Sequence, residues 1–120
     1  MLVNVLPLTP HTRGILNALT FSKMPVGSYV VNIGRGAHVI DADLIDALDA
    51  GQLAGAMLDV FEEEPVPAAH PFWRHPKVIV TPHVAAPTLA SESEAQIVEN
   101  ISRLERGEPP LGLVDRKRGY

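Results

Sequence analysis

Short apolar runs separated by glycine and proline organise this chain. Met1 to Leu6 is apolar apart from Asn4 and is stopped by Pro7, which predicts a short buried strand. Leu16 to Met24 predicts a short helix. Pro25-Val26-Gly27 then turns the chain into Ser28-Tyr29-Val30-Val31-Asn32-Ile33, a second strand rich in β-branched residues and bounded by Gly34. Asp41 is placed to cap a helix whose Leu44, Ile45 and Leu48 share one face, and Gly51 supplies its stop. A nearly continuous apolar run from Ala54 to Val60 follows as the third strand. Strands of this kind alternating with helices predict an α/β fold on a parallel sheet, each strand buried on both faces.

From Glu62 to Pro76, prolines 65, 67, 71 and 76 interrupt a stretch of acids and histidines, so a surface loop without regular structure is expected. Val78-Ile79-Val80 predicts a fourth strand that ends at Thr81-Pro82-His83, where the proline holds the histidine at the strand end. Thr88 is placed to cap a long helix. Leu89, Ile97, Val98, Ile101 and Leu104 recur there at roughly helical spacing, and the helix ends near Gly107 and Pro109-Pro110. That stripe needs a partner surface. The tail from Leu111 to Tyr120 shows no period.

Composition narrows the function. At 120 residues with 46% hydrophobic content, one domain with a real core, or a fragment of a larger protein, is the expectation. A net charge of -4, with basic residues clustered only at Arg116-Lys117-Arg118, gives no footprint for nucleic acid. Cysteine is absent, which removes thiol and disulfide chemistry. No apolar run approaches a membrane span, and the start lacks a signal-peptide pattern, so a cytoplasmic protein is expected.

Candidate chemistry lies just beyond the apolar runs, where ligands bind in parallel α/β sheets. Gly34-Arg35-Gly36 follows the second strand, Asp59 and then Glu64 the third, and His83 the fourth. A cation, a carboxylate and an imidazole on one edge suit a small 2-oxo acid. Arginine grips its carboxylate in bidentate fashion, and a protonated histidine serves its carbonyl oxygen. Glu64 would hold His83 and favour its protonated form. Taken singly, these residues also have plainer readings: Arg35 as a solvated turn charge, Glu62-Glu63-Glu64 as a solvated loop face, His83 as a strand-end cap. His70 and His75 lack a third ligand for zinc, so no metal site is expected, and Trp73 reads first as a loop anchor.

Asn32-Ile33-Gly34-Arg35-Gly36, Leu58-Asp59-Val60-Phe61-Glu62-Glu63-Glu64-Pro65 and Thr81-Pro82-His83 occur in the order seen in the D-isomer-specific 2-hydroxyacid dehydrogenases, and the chain resembles that family over essentially its whole length. The spacings are 29 residues from Arg35 to Glu64 and 19 from Glu64 to His83. The resemblance implies that Arg35 binds substrate, that Glu64 is the histidine's partner, and that His83 is the acid–base. It implies that Asp59 faces the nicotinamide amide of NADP or NAD. Leu6, Pro7 and Thr12, with Ile33, Gly34, Arg35 and His83, would lie around that cofactor. The stretches His70 to Pro76, His83 to Ala86 and Val114 to Tyr120 resemble the glyoxylate/hydroxypyruvate reductase branch.

Nothing in the chain matches the family's G-x-G-x-x-G phosphate-binding unit; Gly34-Arg35-Gly36-Ala37-His38-Val39 supplies only G-x-G. The resemblance therefore implies the C-terminal part of a doubly wound, Rossmann-like parallel sheet plus a long C-terminal helix. Residues 1–86 would be a partial cofactor-binding domain, and residues 87–120 a helix and tail that pack on a substrate domain outside this chain. The implied partners are a small-molecule 2-oxo acid and, as in full-length relatives, a second subunit in a homodimer. The competing expectation is a noncatalytic α/β remnant that acts by association through its last helix and an unpaired sheet edge.

Overall fold

In the computed structural model, which describes residues 1–119, four strands form one parallel sheet in the order β1-β2-β3-β4. The strands are β1 (Leu2–Asn4), β2 (Ser28–Asn32), β3 (Leu53–Leu58) and β4 (Val78–Val80). Helix α1 (Ala18–Ser22) connects β1 to β2, and α2 (Asp41–Asp49) connects β2 to β3. Asn4, Asn32, Leu58 and Val80 stand in one register row, so the strands finish level and their following loops gather at one edge. The expected α/β class and parallel sheet are present.

Burial on both faces is not. Parallel crossovers are right-handed almost without exception, so three crossovers that each step one strand in the same direction place their connections on one face. On that face Val30, Ala56 and Leu58 pack with Leu16, Phe21, Leu44, Leu48 and Phe72 into the core. The opposite row runs Val3, Val31, Met57, Ile79. Its two edge residues are open, Val3 at 48% and Ile79 at 62% exposure. The first strand is accordingly an edge strand with an uncovered face rather than a buried one.

Local details also depart from expectation. The residue preceding α2 is Ile40, with no side-chain cap, and Asp41 is the first helical residue; its carboxylate instead meets His70 Nε2 at 3.3 Å. The proline-rich loop contains a 3₁₀ turn, Pro71–Arg74, because Phe72 buries its ring (2% exposed) and His70 accepts the Phe72 N–H. His75 meets Asp49 at 3.2 Å, and Lys77 Nζ donates to the Leu48 carbonyl, so both ends of α2 hold this loop.

The residues divide into two compact units, Met1–Ala85 and a second from Ala86 onward. In the second unit α3 (Ala90–Glu105) begins after Leu89, without a side-chain cap from Thr88. Ile97, Val98, Ile101 and Leu104 on this helix are exposed. Leu111 exchanges hydrogen bonds with the Asn100 side chain, which folds the start of the tail back along α3. Tyr120 lies outside the described residues. Among those described, no helix is long and apolar enough to cross a membrane.

Candidate functional site

His83 leaves β4 through Thr81-Pro82 with φ of 56°, a left-handed conformation uncommon in residues other than glycine. Asp59, which follows β3 by one residue and is 2% exposed, holds this bend. Its Oδ1 accepts from Thr81 Oγ1 at 2.5 Å and from the Val84 N–H at 2.9 Å; its Oδ2 accepts from the Ala85 N–H at 2.9 Å. Burial by itself would raise the Asp59 pKa, but the bonds from Thr81, Ala85 and Val84, with the nearby His83, take it below the ordinary carboxylate value. Asp59 thus clamps the chain on both sides of His83.

Glu64 completes the arrangement. Its Oε2 lies 2.8 Å from His83 Nδ1, and its Oε1 accepts the Phe61 N–H at 2.8 Å. The hydrogen bond to His83 and then the one from Phe61 hold its pKa below the usual glutamate range. With Nδ1 committed to Glu64, the Nε2 of His83 has no protein partner among the described residues. A cavity of about 240 Å³ is lined by His83, Glu64 and Asp59 together with apolar groups that include Phe61, Val66 and Trp73. Trp73 also anchors its loop, donating from Nε1 to the Pro67 carbonyl at 3.0 Å.

Arg35 sits beyond the end of β2 on a tightly packed bend. A Cβ on Gly36 would lie 1.8 Å from the Phe61 carbonyl carbon, so that glycine is dictated by close backbone approach rather than by a special turn conformation. The contact sets the Arg35 loop directly against the Phe61–Glu64 loop. The exposed guanidinium folds onto the Gly34 carbonyl at 2.7 Å, and Arg35 does not line the His83 cavity. Beneath the bend is a buried polar network. Asn4 Nδ2 donates to Asn32 Oδ1 at 2.8 Å, Asn32 Oδ1 also accepts the Gly34 N–H, and Asn32 Nδ2 donates to the Arg35 carbonyl.

The structure therefore brings Asp59, Glu64 and His83 together in one cavity. It places Ile33, Gly34 and Arg35 at the neighbouring strand end, beside the loop that carries Leu6, Pro7 and Thr12. In that loop Thr12 Oγ1 donates to the Pro7 carbonyl at 2.8 Å and accepts the Thr9 N–H at 2.8 Å, closing it on itself. Sequence reasoning missed Asn4, Asn32, His38 and Thr81. The signal for the first three was available: each is a polar residue interrupting an apolar run. Glu62 forms an exposed pair with Arg13 at 2.7 Å, in keeping with a solvated loop face. Among the described residues no group of three or more metal-ligating side chains converges. A carboxylate-held imidazole beside a cavity, with a guanidinium two strands away along the same sheet edge, can grip an anion and exchange a proton with an adjacent oxygen.

Comparison with known proteins is consistent across sequence and structure. A family model described as "D-isomer specific 2-hydroxyacid dehydrogenase, NAD binding domain" matches residues 1–85. Over all 120 residues the chain is 53% identical to glyoxylate/hydroxypyruvate reductase A of Yersinia enterocolitica, of which it covers 38%. A D-isomer-specific 2-hydroxyacid dehydrogenase from Xanthobacter autotrophicus, solved with NADPH and MES, is 49% identical with a TM-score of 0.93; the match covers 98% of this chain and 49% of that one. An NADPH-dependent glyoxylate/hydroxypyruvate reductase from Sinorhizobium meliloti, solved with NADP and sulfate, is 45% identical with a TM-score of 0.91, covering 98% of this chain and 39% of that one. The chain thus spans well under half the length of the curated relative.

Proposed function

The chain belongs to the D-isomer-specific 2-hydroxyacid dehydrogenase family, and from that premise we propose that its strand-end residues form the substrate-binding and acid–base part of a site reducing glyoxylate or hydroxypyruvate with NADPH or NADH. The carrying observation is the 2.8 Å pair between His83 Nδ1 and Glu64 Oε2, which leaves Nε2 available at the cavity. Arg35 holds the substrate carboxylate through its planar fork. His83 gives a proton from Nε2 to the carbonyl oxygen. Glu64 keeps the imidazole in the tautomer with hydrogen on Nδ1, directed at its carboxylate, and so fixes the ring's orientation. Asp59 holds the backbone around His83 so that the imidazole stays aimed.

The residues present fit the reactive end of a nicotinamide cofactor. Leu6, Pro7, Ile33, Gly34 and Asp59 follow three adjacent strands, Thr12 bonds the Pro7 carbonyl from further along the loop after β1, and His83, its Nε2 without a protein partner among the described residues, lines a largely apolar cavity. When bound, the nicotinamide supplies the hydride. No segment of this chain corresponds to the G-x-G-x-x-G unit that would hold the pyrophosphate. The first unit is then the nicotinamide-side part of the cofactor domain, and α3 packs its apolar side on a substrate domain. A cytoplasmic homodimer completes the reading.

A second reading has its own observation. The uncovered row Val3, Val31, Met57, Ile79 and the exposed apolar residues of α3 favour an α/β unit that works only with another polypeptide laid against it. The test is oxidation of NADPH and NADH by the purified chain with glyoxylate and with hydroxypyruvate, beside Arg35→Ala and His83→Gln. Turnover abolished by both substitutions supports the first reading. Turnover indifferent to them refutes these roles. No turnover together with no cofactor binding by calorimetry leaves the second reading.

A further inference from the structure

His38 is wholly buried between the two loops assigned above to the anion and to the nicotinamide, and both ring nitrogens are engaged. Its Nδ1 lies 2.8 Å from Asn4 Nδ2 and 3.2 Å from the Arg35 backbone nitrogen. Its Nε2 lies 3.3 Å from the Pro7 carbonyl oxygen. The Arg35 amide can only donate, so Nδ1 must present its lone pair; the carbonyl can only accept, so the hydrogen sits on Nε2. Asn4 agrees with this assignment. One hydrogen of its Nδ2 goes to Asn32 Oδ1, the other to His38, and its Oδ1 accepts the Leu6 N–H at 3.3 Å.

A satisfied buried histidine is ordinarily a core group and nothing more. Here each edge of the ring holds a different functional loop. We propose that His38 is a positioning residue with divided labour: Nδ1 fixes the Arg35 backbone and hence the anion grip, while Nε2 fixes Pro7 and hence the loop beside the cofactor ring. The proposal rests on the roles given above to Arg35 and to Leu6, Pro7 and Thr12. The surrounding packing supports it. A Cβ on Gly34 would lie 2.9 Å from Asn4 Nδ2 and 3.2 Å from His38 Nδ1, so the bend carrying Arg35 is pressed directly onto this network. The Arg35 side chain is exposed and bonded only to its neighbouring carbonyl, which leaves the backbone anchor to set where it reaches from.

Two substitutions separate the edges. Asparagine can restore an acceptor at the Nδ1 position without reaching Pro7, and glutamine a donor at the Nε2 position without the Nδ1 acceptor. The ¹⁵N-labelled chain would be titrated with oxamate, a 2-oxo acid analogue, with amide exchange followed at Arg35 and at Thr9. His38→Asn should leave oxamate affinity within about twofold and Arg35 protected while Thr9 exchanges faster. His38→Gln should do the reverse, weakening oxamate binding roughly three- to tenfold, the scale of one neutral hydrogen bond. Equal loss on both edges in both variants would mean a merely structural core histidine and would overturn the proposal. The unsubstituted chain carries its own check, independent of how the variants fold: ring ¹H–¹⁵N correlations must show hydrogen on Nε2, and hydrogen on Nδ1 overturns it. Failure of the unsubstituted chain to bind oxamate would count against the Arg35 role, while the tautomer and exchange pattern would still decide the positioning claim.

Discussion

Removing the Asp59 carboxylate should release His83 before it unfolds the sheet. Asp59→Ala leaves Thr81 Oγ1 and the Val84 and Ala85 N–H groups without their acceptor. Hydrogen bonds to a charged group are worth about 1.5–3 kcal/mol each, so the three set an upper bound of roughly 5–9 kcal/mol. The strand-end segment can swing out and bond water instead, which brings the expected loss to about 3 kcal/mol. Releasing the segment also lets His83 abandon its φ of 56°, a conformation costing on the order of 1 kcal/mol, and so separate from Glu64. For a domain of this size that loss corresponds to a fall in Tm of roughly 10–15 °C. Urea denaturation gives the stability, and amide exchange shows where it was lost. Val84 and Ala85 should lose protection while Val30 and Ala56 keep theirs. A loss below about 1 kcal/mol, or Val84 and Ala85 amides still protected in the variant, would refute the clamp.

Three further outcomes test the surrounding structure. Glu64 has a folded pKa below its ordinary value of 4.5, so below that pH the unfolded chain binds the proton more readily. Its contribution is therefore fully present above about pH 4.5 and is lost as pH falls through the lower folded value; a urea-midpoint profile should be flatter in Glu64→Gln over that range, and an unchanged profile would contradict the pairing with His83. Gly36→Ala forces a Cβ to within 1.8 Å of backbone at Phe61, so the chain should fold poorly or melt far lower, and a near-native Tm would show that the two loops are not packed as described. Phe72→Ala empties a buried site packed against Phe61 and His70, with an expected loss of about 3–5 kcal/mol and looser protection of the Phe61 amide that Glu64 accepts.

Much of the fold was legible because the strands are apolar runs with glycine or proline at their ends. Those punctuation marks act locally: Gly51 takes positive φ after α2, Gly107 after α3. Helix starts are less legible. Asp41 and Thr88 are capping residue types at suitable positions, but tertiary partners or a shifted start gave them other places. Asp41 turned to His70, and α3 began beyond Leu89. The 3₁₀ turn at Pro71–Arg74 is not legible in the local pattern because burial of a single ring, Phe72, outweighs the discouraging proline content around it.

The order and spacing of Arg35, Glu64 and His83 are properties of the chain, and so is the chemistry their side chains make available. The same holds for the parallel α/β class, since strand–helix alternation leaves few other ways to bury such runs. Which face of the sheet is covered was decided by the handedness of successive crossovers, which no local pattern encodes. The left-handed bend at His83, its clamp by Asp59 and the Asn4–Asn32–His38 network likewise belong to the tertiary structure. The clamp and the network join groups 22 to 34 residues apart, and a hydrogen bond across that distance exists only once the strands that carry its two ends have been laid side by side.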